Sequence, residues 1–278
     1  MNVVKSLAEL RTARGSLSNP LGLVPTMGLL HEGHLSLVRR ARQECASVGV
    51  SIFVNPTQFG PTEDLGTYPA NLERDLELLD SEQTDLVWTP TAEEMYGPGY
   101  QTWVEVEDLT RYLEGEVREE HFRGVTTVVA KLFNSFQPDK AYFGQKDAQQ
   151  ATVIRRMVHD LNFPVEIVVC PTLREEDGLA MSSRNSYLKP EERQAATVLF
   201  RAVSAAAEMF SAGERSADKL RAEMDKVLVA EPLARPEYAS VADLETLEEC
   251  SGPVEKALLS MAVVIGKTRL IDNMTVGN

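Results

Sequence analysis

The sequence predicts an α/β protein with a parallel sheet, helices on both faces of that sheet, and a smaller C-terminal α+β domain. Short apolar runs alternate with amphipathic stretches over the first 170 residues or so, which is the pattern of strands alternating with covering helices. After Arg174 the chain becomes polar and glycine-containing, and helical patterns then precede strand-like ones. We therefore predict two domains, 1–173 and 174–278.

The apolar runs of the first domain are short and rich in β-branched or aromatic residues, as expected for buried parallel strands. They are Leu21–Val24, Val50–Asn55, Asp85–Thr89, Ala141–Phe143 and Val165–Cys170. Apolar residues at helical spacing predict helices between these strands. The helices are His34–Val48, Asn71–Leu79, Val125–Phe136 and Ala148–Leu161. In the first of them the apolar stripe is formed by Val38, Ala41, Cys45 and Val48.

The C-terminal domain begins with two predicted helices. Pro190 suits a first helical turn, and the apolar pattern of Glu191–Ala212 continues until Gly213. A second helix is predicted at about Ala217–Val229. Three strand candidates follow, and they are Tyr238–Leu244, Leu258–Ile265 and Arg269–Asn273.

Composition excludes several classes of protein. A chain of 278 residues with 43% hydrophobic and 25% charged residues is typical of a globular protein. The net charge of −14 argues against general binding to nucleic acid or to membrane surfaces. The N-terminus lacks the apolar segment of a signal peptide, and no apolar run spans a bilayer. Three cysteines far apart in sequence indicate reduced thiols and a cytoplasmic protein.

Residues 24–34, Val-Pro-Thr-Met-Gly-Leu-Leu-His-Glu-Gly-His, lie where a predicted strand turns into a helix. Such a corner directs backbone N–H groups and the positive helix end toward one point, which suits an anion. His31 and His34 are placed to hold phosphate oxygens there. The alternatives are a zinc site, which the His-Glu-Gly-His spacing does not favour, and a solvated turn with one buried histidine.

Two further segments could bind phosphate. Gly144–Asp147 follows a strand, where open α/β sheets bind ligands. There Lys146 is a mobile cation, and Asp147 could cap the next helix or bind a ribose hydroxyl. Met181–Arg184 combines two hydroxyls with a guanidinium, which suits a polyphosphate. A common turn and an ordinary polar linker are the alternatives.

Neutral side chains could orient a small polar substrate. Asn55 and Gln58 follow a predicted strand, and Gln149 and Gln150 begin a predicted helix. Turn chemistry is the alternative for Asn55. In the segment His121-Phe-Arg-Gly, the arginine, Arg123, could reach an anion or pair with the acidic run before it, which is the commoner use. Five apolar side chains are interpreted as core packing, and they are Phe53, Phe133, Phe143, Met157 and Phe163.

Taken in order, these motifs resemble those of the pantothenate synthetases, also called pantoate–β-alanine ligases. The motifs are Pro-Thr-Met-Gly-x-Leu-His-x-Gly-His, Asn-Pro-x-Gln-Phe, His-Phe-Arg-Gly-Val, Gly-x-Lys-Asp and Met-Ser-Ser-Arg-Asn. The His-x-Gly-His and Ser-Ser-Arg elements are also similar to the paired signatures of class I aminoacyl-tRNA synthetases and related nucleotidyltransferases. The resemblance covers most of the first 190 residues.

The resemblance implies that the parallel sheet is Rossmann-like and that the protein is a homodimeric, ATP- and Mg²⁺-dependent ligase of pantothenate and coenzyme A biosynthesis. Pantoate would be activated as pantoyl adenylate with release of pyrophosphate, and β-alanine would then displace AMP to give pantothenate. The C-terminal domain would act as a lid on the β-alanine side, and we expect its Arg174–Asn185 segment to close over ATP. The direct Mg²⁺ ligands are left open.

The resemblance also implies a role for each matching residue. His34, His31, Lys146 and Arg184 would be catalytic, with His34 as proton donor, and Gln58, Gln150, Pro25 and Asn55 would bind the substrate. The implied ATP-binding residues are Met27, Gly28, Leu29, Leu30, His31, Glu32, Gly33, His34, Gly144, Gln145, Lys146, Asp147, Leu173, Met181, Ser182, Ser183 and Arg184. Position 145 departs from the family, which usually has Glu there, and little effect is expected.

Three other functions compete with this one. A nucleotidyltransferase would make a stable nucleotidyl product without a second acceptor. A regulatory protein that had lost catalysis would lack phosphate ligands, yet His31, His34, Lys146 and Arg184 are all present. A dinucleotide-dependent dehydrogenase is disfavoured because no Gly-x-Gly-x-x-Gly follows the first predicted strand.

Overall fold

The computed structural model describes residues 1–61 and 63–277, and these form two compact units. The first unit comprises 1–107, 118–144 and 150–171, and the second comprises 108–117, 145–149 and 172–278. The long segment of the second unit begins two residues from the predicted domain boundary. Nothing in the sequence predicted that the short segments 108–117 and 145–149 group with the second unit. The division into 1–173 and 174–278 stays a prediction.

The first unit contains a six-stranded sheet in which every neighbouring pair of strands is parallel. Its strands are β1 (Asn2–Val4), β2 (Leu21–Thr26), β3 (Ser47–Ile52), β4 (Leu86–Trp88), β5 (Lys140–Gly144) and β6 (Glu166–Cys170). The order β1-β4-β3-β2-β5-β6 reverses direction between β2 and β5. The carboxyl ends of these two strands therefore flank the switch point at which such sheets bind ligands.

Helices cover both faces of this sheet, as predicted. They are α1 (Leu7–Arg14), α2 (Glu32–Glu44), α3 (Leu72–Ser81), α4 (Ala92–Met95), α6 (His121–Phe136) and α7 (Ala148–Asp160), while α5 (Glu114–Val117) lies in the second unit. Side chains of a strand alternate between faces. Leu23 accordingly packs in the cluster that contains Phe133 of α6, whereas Val24 packs in the cluster that contains Val38 of α2. The Rossmann-like prediction is confirmed.

Two features near α2 and the N-terminus differ from the predictions. The helix α2 ends at Glu44, and Val48 lies within β3 rather than on the helical stripe. The Val48 N–H donates to the Asp85 carboxylate at 2.7 Å, and Val48 pairs in register with Gly22 of β2. Contacts with residues distant in sequence therefore favour the strand over the helix at this position. The elements β1 and α1 were not predicted, although Ser6 and Glu9 form a capping box at the start of α1.

The second unit contains an antiparallel sheet in the order β7-β8-β9, with helices packed on it. Its strands are β7 (Ala234–Ala242), β8 (Ala257–Ile265) and β9 (Thr268–Val276), and its longer helices are α8 (Pro190–Ala195), α9 (Val198–Ser211) and α10 (Ala217–Val229). The small α+β domain is confirmed. The single helix predicted over Glu191–Ala212 is wrong, because the chain breaks at residues 196–197 into two helices. In the part of the chain that the structure describes, no helix has the length and apolar character needed to cross a membrane.

Candidate active site

The loop that leaves β2 has a backbone conformation set by side chains of α3. Gly28 and Leu29 both adopt positive φ, at 88° and 47°. The buried Asp75 carboxylate accepts hydrogen bonds from the N–H groups of Leu29 at 2.8 Å and Leu30 at 2.7 Å. The Arg74 guanidinium donates to the Leu30 carbonyl at 3.2 Å. A carboxylate and a guanidinium thus hold the Met27–Leu30 turn, and sequence reasoning missed both.

His31 and His34 meet at the start of α2, with ring centroids 4.0 Å apart. The Nδ1 atom of His31 accepts from the Gly33 N–H at 3.2 Å, and Nδ1 of His34 accepts from the His31 N–H at 3.3 Å. An Nδ1 that accepts carries no proton, so each neutral ring is protonated on Nε2. Both imidazoles therefore present an Nε2–H donor, which is the group that a phosphate oxygen accepts from.

This geometry corrects one part of the phosphate-site prediction. The backbone N–H groups of Leu29, Leu30, His31 and Gly33 all donate to protein side chains. They are therefore engaged within the protein rather than directed at an anion. The side-chain donors of this corner that the phosphate-site prediction relies on are the Nε2–H groups of His31 and His34.

The segment after β3 forms a tight 3-10 turn over Pro56–Gln58, capped by Asn55. Asn55 is buried, with only 1% of the residue exposed. Its Nδ2 donates to Gln58 Oε1 at 3.0 Å and to the Gly124 carbonyl at 3.1 Å, while its Oδ1 accepts from the Tyr96 hydroxyl at 2.8 Å. Burial raises the pKa of Tyr96 to about 12, which keeps this hydroxyl protonated as a donor. The geometry fits a residue that orients Gln58, and direct substrate contact by Asn55 stays a prediction.

Gln58 connects this turn to the loop that follows β2. Its Nε2 donates to the sulfur of Met27 at 3.2 Å, so the loop after β2 and the turn after β3 meet at these two side chains. The Gln58 carbonyl lies 2.8 Å from His121 Nδ1, and Arg118 contacts the opposite ring nitrogen of His121 at 3.1 Å. Arg118 in turn pairs with Glu63. Asn55 and Gln58, both predicted to orient a substrate, are therefore in direct contact within the first unit.

The helix α6 packs very closely on the same turn. A Cβ atom added at Gly124 would lie 2.4 Å from the Thr57 carbonyl oxygen, far inside contact distance. The glycine of the His-Phe-Arg-Gly motif therefore permits this approach. Arg123 pairs with Glu120 at 2.9 Å, which confirms the interpretation as an ion pair with the acidic run.

Other predicted residues of the first unit are placed as follows. Pro25 is the fifth residue of β2 and pairs in register with Ser51 of β3. Gln150 lies half-buried in α7. Of the five side chains interpreted as core, Phe53, Phe133, Phe143 and Met157 are buried and Phe163 packs partly buried against the same cluster. Those interpretations are confirmed.

Two groups of predicted nucleotide-binding residues lie in the second unit. Gln145–Asp147 forms a 3-10 turn, in which the Lys146 ammonium lies 3.5 Å from the Asp147 carboxylate. Gln149 is buried, and its amide bonds to the backbone of Leu109, Tyr112 and Glu114. Gln149 therefore has a structural role, not the substrate-orienting role that its position suggested.

The second group is held by a short hairpin. The Met181 N–H donates to the Leu173 carbonyl at 3.0 Å, so two residues eight positions apart become neighbours. Ser182 then caps a 3-10 turn by accepting the Arg184 N–H, and Ser183 is buried. Asn185 donates to the Ala180 carbonyl at 3.1 Å. The hairpin places Leu173 beside Met181, a relation that spacing alone does not reveal.

Comparison with known proteins is consistent along the whole chain. The family model for pantoate-beta-alanine ligase matches residues 2–275. The pantothenate synthetase of Roseiflexus sp. (strain RS-1) is 63% identical over 273 residues, covering 98% of each chain. That of Moorella thermoacetica is 53% identical over 277 residues, covering 99% of this chain and 98% of the relative.

Solved structures agree in fold. The crystal structure of pantothenate synthetase from Thermus thermophilus is 50% identical, superposes with a TM-score of 0.94, and covers 99% of each chain. The pantoate-beta-alanine ligase of Francisella tularensis, solved in complex with beta-gamma ATP and beta-alanine, is 33% identical with a TM-score of 0.80, covering 99% of this chain and 97% of that one. With the motifs in place on this fold, the chain belongs to the pantoate–β-alanine ligase family, the pantothenate synthetases.

Proposed function

We propose that this chain makes pantothenate in two steps through an enzyme-bound pantoyl adenylate. As a family member it is an ATP-dependent ligase that joins pantoate to β-alanine by an amide bond. A carboxylate is a poor acyl donor until one oxygen becomes part of a good leaving group. In the first step a pantoate carboxylate oxygen attacks the α-phosphorus of ATP, and the bond to the β-phosphate breaks to release pyrophosphate.

The first-unit residues that we propose for this step are the two histidines. Negative charge gathers on the α-phosphate oxygens in the transition state, and the Nε2–H groups of His31 and His34 are donors for such oxygens. The backbone N–H contacts of the two Nδ1 atoms are the observation that carries the proposal, because a neutral ring whose Nδ1 accepts a hydrogen bond has its N–H donor at Nε2. Gln58, which contacts Met27, is the proposed ligand of the acid substrate, together with Gln150 and Pro25.

In the second unit we propose Lys146 and Ser182–Arg184 as phosphate ligands, with Leu173, Met181 and the backbone of Gln145–Asp147 as further nucleotide ligands. Gly144, the last residue of β5 in the first unit, is proposed as another. Lys146 supplies a point charge and Arg184 a planar set of donors. Mg²⁺, when bound, would neutralise phosphate charge, and it needs only one or two protein carboxylates beside the phosphate oxygens. The Asp147 carboxylate, 46% exposed, could supply one. Residues 1–61 and 63–277 contain no cluster of three metal-ligating side chains.

The second step forms the amide. The β-alanine nitrogen attacks the acyl carbon of the adenylate, the acyl–oxygen bond to AMP breaks, and the nitrogen loses its extra proton. An alkyl amine has a pKa of roughly 10, so the amine must lose a proton before attack. Placement of the neutral amine against a reactive adenylate supplies most of the advantage.

Two further parts of the proposal concern assembly and location. We propose a homodimer, which the family resemblance supports and sedimentation equilibrium would test. A cytoplasmic location is supported by Cys45, Cys170 and Cys250, which are all free thiols, as expected in a reducing compartment.

The test is an assay of product formation with single omissions. ATP and pantoate alone should release pyrophosphate in one burst of at most one equivalent per site, and AMP should accumulate only when β-alanine is added. Exchange of labelled pyrophosphate into ATP should require pantoate and not β-alanine. Free AMP formed without β-alanine in repeated turnovers, or exchange without pantoate, would contradict the two-step proposal.

A further inference from the structure

We propose that Asn273 of β9 is a positioning residue for the reaction, because it holds the backbone on which Lys146 stands. The inference rests on the proposed function, in which Lys146 stabilises the phosphate charge. No motif of the sequence pointed to Asn273, which lies 127 positions after Lys146 in the chain.

The contacts of Asn273 are concentrated on one turn. Its side chain is buried, at 5% exposure for the residue. Its Nδ2 donates to two successive carbonyl groups, those of Gln145 at 3.0 Å and Lys146 at 2.7 Å. Its Oδ1 accepts from the Gln145 side-chain Nε2 at 3.1 Å. The amide nitrogen of Asn273 therefore bonds to both Gln145 and Lys146, and its oxygen bonds to Gln145.

The preceding residue, Asp272, contacts the hairpin that joins Leu173 to Met181, which is the other predicted nucleotide-binding segment of the second unit. Its buried carboxylate forms a bidentate pair with Arg174, at 2.6 and 2.9 Å. Arg174 also donates to the Gly178 carbonyl at 3.0 Å, within the hairpin that joins Leu173 to Met181. Two adjacent residues of β9 thus brace the Lys146 turn and the Leu173–Met181 hairpin.

The side chain of residue 145 also matches Asn273. A Gln at this position offers an N–H₂ group to Asn273 Oδ1, whereas a Glu would bring an oxygen against that oxygen. Turning the Asn273 amide over would relieve this contact but would present its oxygen to the Gln145 and Lys146 carbonyls. The Gln145–Asn273 pair is therefore complementary as it stands. The expectation that Gln145 is interchangeable with Glu does not follow from this geometry.

Asn273→Asp is the discriminating variant. Asp is nearly the same size as Asn but lacks the donors, so its oxygens would face the two carbonyl groups. Displacement of the Lys146 turn by about 1 Å is expected to slow adenylate formation about 10- to 100-fold, mainly in kcat rather than in KM for ATP. The matched control is Ser260→Ala on β8. Ser260 is buried directly opposite Asn273 in the ladder, and its hydroxyl has no hydrogen-bond partner among the described residues.

The decisive measurement combines each variant with Lys146→Ala in single-turnover adenylation of pantoate. If Asn273 acts through Lys146, Asn273→Asp should slow the reaction less than about threefold once Lys146 is gone, since residues that act as a unit are not additive. An equal loss in both backgrounds would overturn the inference, because Asn273 would then act through general stability. An unchanged rate in Asn273→Asp alone would also overturn it.

Two further results separate this inference from the proposed function. If Lys146→Ala adenylates pantoate at the normal rate, the role of Lys146 fails and the inference falls with it. If Lys146→Ala is impaired and Asn273→Asp is not, only the inference fails. Should Asn273→Asp melt below the assay temperature, Asn273→Ala removes the donors without adding charge. Gln145→Glu tests the same hydrogen bond by changing its donor. A rate of adenylate formation equal to that of the unchanged protein would count against the Gln145–Asn273 pair.

Discussion

The carboxylate of Asp75 on α3 accepts the backbone N–H of Leu30 at 2.7 Å, a contact between residues 45 positions apart. The same carboxylate accepts the neighbouring Leu29 N–H at 2.8 Å. A Cβ atom at Gly28 would lie 3.2 Å from it and from a methyl group of Ile52. The backbone conformation of the loop that leads to His31 is therefore held by the buried carboxylate of Asp75 on another helix.

We predict that Asp75→Asn weakens ATP binding and destabilises the fold. Asn keeps one acceptor oxygen and places N–H₂ against a backbone N–H, so a hydrogen bond to a charged group worth about 1.5–3 kcal/mol is lost. Urea unfolding and ATP titration by calorimetry measure both effects. Glu77→Gln, at an exposed position of the same helix, is the control. Equal affinity and stability in both variants would refute the role of Asp75.

A second prediction separates the two nitrogens of His34. His34→Asn retains an acceptor near the position of Nδ1 but removes the Nε2–H donor. It should slow adenylate formation about 10²–10³-fold while keeping the cap on the His31 N–H. His34→Ala should lose the same rate and, in addition, about 1 kcal/mol of stability through loss of the cap. Single-turnover kinetics and urea unfolding provide the readouts, and an undiminished rate in His34→Asn would remove Nε2 from the mechanism.

Close packing at Gly124 supports a third prediction. In Gly124→Ala the new methyl group must displace the Thr57 carbonyl, so the turn that carries Gln58 shifts. The expected loss is about 1–3 kcal/mol in unfolding free energy, together with a raised KM for pantoate. Gly66→Ala is the control, because a Cβ there has no heavy atom within 4 Å. A Gly124→Ala protein with normal stability and pantoate KM would contradict the packing argument.

The fourth prediction concerns pH. Hydrogen bonds from Arg40, Lys140 and Tyr142 lower the pKa of Glu44 from 4.5 to about 2. A lowered folded-state pKa contributes stability that is complete above the unfolded value of 4.5 and is lost as pH falls through about 2. Glu44→Gln should therefore lower Tm at pH 7, and the difference from the unchanged protein should shrink between pH 4.5 and 2.

Thermal melts across that range, at fixed ionic strength, make the comparison. Glu208→Gln, an exposed carboxylate of α9, should show no such pH-dependent difference. If the Glu44→Gln difference stays constant down to about pH 2, the contribution of Glu44 is one of packing and not of charge.

Periodicity predicted the regular elements best where the pattern was long and local. The bounds of α10, Ala217–Val229, are those predicted, because Ser216 caps the helix and its apolar stripe is regular. The prediction failed at Val48 and at residues 196–197, where packing and pairing with distant segments override local spacing. The same apolar residues can fit either the apolar face of a helix or a strand. Which of the two forms depends on the distant segment against which they pack or pair.

The candidate site shows the same division. The histidine corner, the Asn55–Gln58 turn and the Lys146 and Ser182–Arg184 segments were identified from residue types at their spacing, since phosphate and carboxylate chemistry requires particular donors. Asp75 and Asn273 were not identified, because each acts on backbone groups far away in sequence. A buried Asp in an amphipathic helix and an Asn in a strand carry no local mark of that role.

By itself the sequence determined the α/β class and the ligase family, and it supplied the candidate set of substrate-binding groups, since these depend on residue type and on order along the chain. Tertiary structure alone decided how those groups are presented. It places both imidazoles with Nε2–H as donor, engages the backbone N–H groups of the corner with Asp75 and with the histidines themselves, and rests the Lys146 turn on Asn273. Hydrogen-bond direction depends on which atoms meet in space, and that information exists only once the chain has folded.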